Sequence, residues 1–395
     1  MPFFLALALF LTSGTAVDLL GFRLSDLAAF AVVLLLIVTG SISSEGRLGL
    51  MIISALLVAS VFISSAIQLN LKPDMFEDGL RNTVAISLGL FITCLLLLRL
   101  NGMRAILIAK HYSRICIAMC CSLYLFQYLF FTPSWIGQVE VVERFSAISV
   151  NPNQLALFLL PLPFFAILCF VAGVIGRREM VGVIFLAVII NLVVIGKALF
   201  VAWFFSFGFL YLIGWNLSGK PADRRGAVLT RVMFCLAIVI VALPVFFKLY
   251  SGDIAGGQEE QGKIRILLWQ HGLQAWGDAI ILGHGSGHYS GLSSAYEGME
   301  AHNFFIDWLG AYGVIGAVLL IAFFILIFVP TWRSNKLLFA FMLAMSIQML
   351  FHFYARHPIF WVWWVFAFVL AKDFRCSQSH ASKWCSDENR QPRKI

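Results

Sequence analysis

Residues Gly283–Gly316 read GHGSGHYSGLSSAYEGMEAHNFFIDWLGAYGVIG, and within them the chain changes character. The first part is polar and glycine-rich, with His284, His288 and His302; from Phe304 onward the sequence is an apolar run of helical length. His302-Asn303 marks the switch from loop to helix, which makes this junction the candidate active site. Gly283, Gly285 and Gly287 predict a tight turn through which backbone can approach a substrate. Gly310, Gly313 and Gly316 recur every third residue and predict a small-residue stripe for close helix packing.

The apolar run has many counterparts along the chain. The 395 residues are 61% hydrophobic and 12% charged, with a mean hydropathy of +0.91, whereas soluble domains carry roughly 25% charge. Backbone groups in lipid must pair within their own segment, so runs of this length are helices. The pattern predicts an all-α polytopic membrane protein with about twelve transmembrane helices. The expected spans are Phe3–Val17, Ser25–Thr39, Leu48–Ile67, Arg81–Leu98, Ser113–Phe131, Asn153–Ile175, Val181–Ile195, Ala198–Trp215, Leu229–Phe247, Asn303–Val329, Leu337–Phe351 and Pro358–Ala371. They form a single transmembrane domain, 1–372, without internal repeats. Met1–Ala16 lacks the basic start of a cleavable signal and is read as the first span.

Placing both termini on the cytoplasmic side puts the larger part of the 28 Lys+Arg inside, as the positive-inside rule requires. The net charge of +8 is scattered through short loops, which encodes topology and excludes a nucleic-acid partner. One large outer loop, 248–302, then faces the periplasm. Within it IRILLWQHGLQAW, Ile264–Trp276, places Leu267, Leu268, Trp269, Leu273 and Trp276 on one broad face and predicts an amphipathic helix at the membrane surface. The preceding GDIAGGQEEQG reads as a mobile linker. The tail, 373–395, is polar, basic and expected to be disordered. The eight cysteines fall in spans or in the tail and give neither a disulfide framework nor a zinc pattern.

Charged groups at the ends of spans are costly and are therefore candidates for function. On the outer side these are Arg144, Lys197, Arg265 and Arg356, with His357 beside the last. Cations gathered on one side suit an anionic substrate, and a diphosphate fits, because arginine offers a planar fork for phosphate oxygens and lysine a point charge. His302 stands at a helix start, where N–H groups and the helix dipole favour negative charge. A neutral imidazole there can take a proton from a sugar hydroxyl near pH 7. Asn303 is placed with it as a substrate-binding candidate. His284 and His288 are spaced as metal ligands on a helix, but the glycines between and beside them argue against a helix, so no metal site is expected. Asn151-Pro152-Asn153 reads as a helix cap, and Trp361, Trp363 and Trp364 as an interfacial aromatic belt.

LGHGSGHY followed by AHNFFIDWLGAYGVIG resembles the signature region of the O-antigen ligase and O-antigen polymerase superfamily. Arg144-Phe-Ser…Asn151-Pro-Asn153, Arg265…Trp269 and Arg356-His357-Pro358 are similar to further pieces of that pattern, in order. The family often has Glu where this chain has Ala311, and Ser-Arg where it has Gly196-Lys197. The resemblance implies an inner-membrane glycosyltransferase with its active site facing the periplasm. It would move a glycan from undecaprenyl diphosphate to an acceptor hydroxyl, carried either by another lipid-linked glycan (polymerase) or by lipid A–core (ligase), in surface polysaccharide biosynthesis. It implies no cofactor, metal or nucleotide sugar; the partners are the lipid-linked glycan, its acceptor and membrane lipids. By the same resemblance, His302 is the base that activates the acceptor, Arg265 and Arg356 bind the diphosphate, and Arg144 and Lys197 assist. The alternative is a transporter or flippase for a lipid-linked or anionic solute, which would call for midplane charges and internal repeats.

Overall fold

The computed structural model describes residues 1–19, 22–39, 47–71, 76–130, 145–149, 151–194, 196–215, 257–287 and 299–372. Its helices are α1 (Pro2–Leu11), α2 (Leu24–Thr39), α3 (Leu48–Leu71), α4 (Phe76–Arg99), α5 (Gly102–Phe130), α6 (Pro152–Leu159), α7 (Leu162–Val171), α8 (Arg177–Val194), α9 (Lys197–Leu212), α10 (Gly257–Asp278), α11 (Phe304–Ser334), α12 (Lys336–Met349) and α13 (Pro358–Lys372). A two-residue antiparallel pairing, Asp18 opposite Arg23, joins α1 to α2. Among the described residues, α3, α4, α5, the α6–α7 pair and α11 contain stretches long and apolar enough to cross a membrane, and α1, α2, α9, α12 and α13 are shorter apolar helices. Large apolar side chains such as Phe30, Phe62, Phe205 and Ile321 stand exposed on them. Contiguous apolar surface of this kind suits lipid rather than water, so the chain is a multi-pass, all-α membrane protein. The expected span Leu229–Phe247 and the tail 373–395 lie outside the described residues.

The helices run between two ends. At one end Met1, Leu36, Arg99 and Arg104 line a common cleft. Arg47 there donates to the carbonyls of Leu97 and Leu100, at 2.6 and 2.7 Å. At the other end Thr15 bonds Gln154, Ala16 N–H bonds the Ile148 carbonyl, and Tyr354 lies 3.2 Å from the Asn153 carbonyl. The second end carries His302.

The core is built around α13, in which every residue from Ile359 to Ala371 is buried. A helix that is apolar all round belongs in the interior. This corrects the expected aromatic belt: Trp361, Trp363 and Trp364 are enclosed rather than interfacial. Trp363 meets Tyr112 at 4.8 Å between ring centroids and Phe165 at 5.3 Å, while Trp364 meets Phe324 at 4.6 Å. Gly89 of α4 makes the close approach to α13 possible, since a Cβ there would sit 2.4 Å from Trp361 Cδ1.

Other expectations also shift. The sixth expected span is two helices, broken at Leu160-Pro161; Pro161 and Pro163 cannot donate to the helical ladder. The amphipathic helix begins at Gly257, inside the sequence read as a linker. Leu268 and Ala275 are buried, whereas Leu267, Trp269 and Leu273 are exposed.

The main irregularity is in α11. Gly313 has φ 59° and ψ −162°, which interrupts the helix about one third of the way along. That conformation is essentially confined to glycine. The broken turn leaves backbone groups unpaired, and residues 280–285 supply the partners. Val314 and Ile315 N–H donate to the carbonyls of Ile280 and Ile281, at 2.8 and 3.2 Å. In return His284 and Gly285 N–H donate to the carbonyls of Gly310 and Ala311, both at 2.8 Å. Irregular backbone inside a spanning helix persists only when its groups are satisfied in this way. The glycines thus do more than thin the helix. Gly283 and Gly313 allow two strands of backbone to meet where any Cβ would collide. Ser286 fastens the same turn to the bundle, sharing hydrogen bonds with Ser65 of α3, Thr83 of α4 and Tyr312 of α11 at 2.7–3.2 Å.

Candidate active site

The start of α11 is capped from two directions. Asn303 takes extended backbone, and its side-chain oxygen accepts from the N–H of Phe305 and Ile306, at 3.1 and 3.3 Å. One turn on, Asp307 reaches back: Oδ1 accepts from Ala301 N–H at 2.7 Å and Oδ2 from Asn303 N–H at 3.2 Å. These bonds satisfy donors that a helix start otherwise leaves open. They also flank His302, which has φ +53°. A histidine in the left-handed region is held there by its surroundings. The result is an imidazole that projects from a rigid corner, with its side chain 47% exposed.

Charged groups gather round this ring. Glu300, largely buried, places Oε1 2.5 Å from Arg356 Nη1 and Oε2 3.9 Å from His302 Nδ1. Arg265 approaches from α10. Trp269, one helical turn further along, donates its indole N–H to the Ala301 carbonyl at 2.9 Å and so fixes α10 against the His302 corner. Partial burial lowers the His302 pKa; Glu300 raises it, and Arg265 and Arg356 lower it again, so that it stays below the ordinary 6.5. The ring is therefore neutral at neutral pH and free to accept a proton. His357, by contrast, is buried beside Arg356 and pushed down to about 3, so it is not a cation for substrate. His284 turns its Nε2 to the Ala275 carbonyl at 2.8 Å, which is a structural tie.

The structure therefore brings His302, Arg265 and Arg356 together. Asn303 sits with them, although its side chain serves the cap and reaches the Leu350 carbonyl at 3.4 Å. Lys197 is exposed at the first residue of α9, at the same end of the bundle. Nearby, Phe145 N–H bonds the Val193 carbonyl at 3.5 Å. Arg144 and His288 lie outside the described residues. Two residues without an expected role complete the arrangement: Glu300, which links His302 to Arg356, and Asp307, which holds the corner. An acidic residue in the first turn of a spanning helix was the available signal for Asp307. Among the described residues no group of three His, Cys, Asp or Glu is arranged to hold a metal ion.

No family model matches the chain, and no curated protein matches it.

Proposed function

We propose that the protein is a membrane glycosyltransferase that moves a glycan from a polyprenyl diphosphate carrier to an acceptor hydroxyl, at the outer face of a bacterial inner membrane. The observation that carries this reading is a neutral, half-exposed imidazole sharing one corner with two guanidinium groups. His302 takes the proton of the acceptor hydroxyl, whose oxygen attacks the anomeric carbon. The bond from that carbon to the diphosphate oxygen breaks, and the electron pair leaves with the diphosphate. Arg265 and Arg356 stabilise the negative charge that develops there. The carrier lipid is undecaprenyl diphosphate by the resemblance described above, and the same resemblance leaves another lipid-linked glycan or lipid A–core as acceptor.

The test is to incubate the purified protein with lipid-linked repeat units, with and without lipid A–core, and to resolve the products on gels. Longer lipid-linked chains indicate a polymerase, and glycan on lipid A–core a ligase. If glycan stays on its carrier in both mixtures, the reading fails.

Arg265→Ala should lower kcat/KM for the lipid-linked donor by about 10²–10³-fold. Arg265→Lys should recover only part of the loss, because a point charge replaces the fork. Full activity in both variants would place the diphosphate elsewhere.

A pH profile tests the base. The acid limb of the rate should fall below pH 6.5, the ordinary histidine value, because burial and the arginines disfavour the protonated ring. Glu300 opposes them, so Glu300→Gln should move that limb to lower pH still. A limb that stays put, or moves up, would separate Glu300 from His302.

A further inference from the structure

We propose that Asp307 is the positioning residue of this site: its buried carboxylate holds the backbone on both sides of His302 and so keeps the imidazole in its working direction. The proposal rests on the reading of His302 as the base. Asp307 is fully buried within the first turn of α11. It is closed off from solvent. Its two oxygens accept from Ala301 N–H and Asn303 N–H, the residues immediately before and after His302.

Two features give this clamp a function beyond ordinary capping. First, Asn303 already caps the helix with its own side chain, so the helix start does not depend on Asp307 alone. Second, the residue between the two clamped amides has φ +53°, a conformation that a free loop would relax away from. The clamp is anchored in the rigid part of the molecule, since Trp308 beside it is buried and packs on Tyr312 and Trp361. A carboxylate is needed because it offers acceptors on both oxygens. In Asp307→Asn one of the two positions becomes an NH2 facing an N–H, and one side of His302 is released.

The experiment uses the full-length protein in detergent and reads His302 directly. The pH dependence of diethyl pyrocarbonate modification at His302, located by mass spectrometry, gives its titration in the wild type and in Asp307→Asn. The charged groups acting on the ring are Glu300 from its own segment, Arg265 from α10 and Arg356 from the segment before α13. Release of the corner should move the ring away from the arginines and from its partial burial. The titration should then rise toward the ordinary value, and kcat should fall by about 10–100-fold with KM little changed. A simple loss of stability would not shift the titration of the protein that remains folded. An unchanged titration in folded Asp307→Asn overturns the proposal. If the titration shifts but transfer is intact, Asp307 positions His302 and the assignment of His302 as base fails instead. If Asp307→Asn does not accumulate, hydrogen exchange of the wild-type protein decides. Slow exchange at Ala301 and Asn303 supports the clamp, and exchange as fast as in an open loop overturns it.

Discussion

With His302 as the proposed base, His302→Ala should stop the proposed glycan transfer, with a loss of about 10²–10⁴-fold, the usual contribution of a positioned general base. The protein should still insert and accumulate. The side chain is 47% exposed, and the Glu300 carboxylate beside it is 3.9 Å away, so little packing is lost. Backbone conformation is the one complication, because alanine is strained at φ +53° whereas glycine is not. His302→Gly is therefore the cleaner partner variant. It relieves the left-handed strain and should keep stability within about 1 kcal/mol of the wild type, yet be equally inactive. Thermal unfolding in detergent, measured beside transfer, separates the two effects. Normal transfer by either variant at wild-type level would take His302 out of the chemistry.

Gly313→Ala should be severely damaging, destabilising by at least about 3 kcal/mol or preventing accumulation altogether. Two costs add. The backbone at φ 59° and ψ −162° lies in a region that side chains forbid. A Cβ there would also lie 2.4 Å from the Ile281 oxygen, 2.5 Å from its carbonyl carbon and 2.7 Å from the Gly283 nitrogen. All three are backbone atoms held in place, the Ile281 carbonyl by the bond it accepts from Ile315 N–H and the Gly283 N–H by the Ala279 carbonyl, so none can swing aside. Gly182→Ala in α8 is the control, since nothing lies within 4 Å of its Cβ and the change should be close to neutral. Equal stability of the two variants would mean that the break in α11 is not as described.

Much of this molecule can be read before its structure. Apolar runs announce the helices because lipid leaves the backbone no other choice. His302, Arg265 and Arg356 stand out because charge and imidazole are rare beside such runs. What was not legible has a common cause. Glycines at every third position suit both a packing stripe and a broken helix; only the partner segment, thirty residues away, decides which. Trp361, Trp363 and Trp364 fit an interface as well as a core until the neighbouring helices are known to enclose α13. Nothing in the sequence sets Glu300 apart from other loop carboxylates; its importance comes from Arg356, which is distant in sequence. Asp307 is a lone acid in an apolar run, but the two amides it serves cannot be named from spacing alone.

The mating of 280–285 with the interrupted α11 also dictates an order of biosynthesis. The chain is made from its N-terminus at roughly 5–20 residues per second. The peptide groups of His284 and Gly285 therefore leave the ribosome some seconds before Gly310 and Ala311, their acceptors, exist. The buried helix α13 is made later still. A nascent chain halted ahead of α11 can hold its earlier helices in the bilayer, yet it has no assembled corner for His302 and no central post. The His302 corner is therefore a late acquisition, closed only when α11, α12 and α13 have entered the membrane.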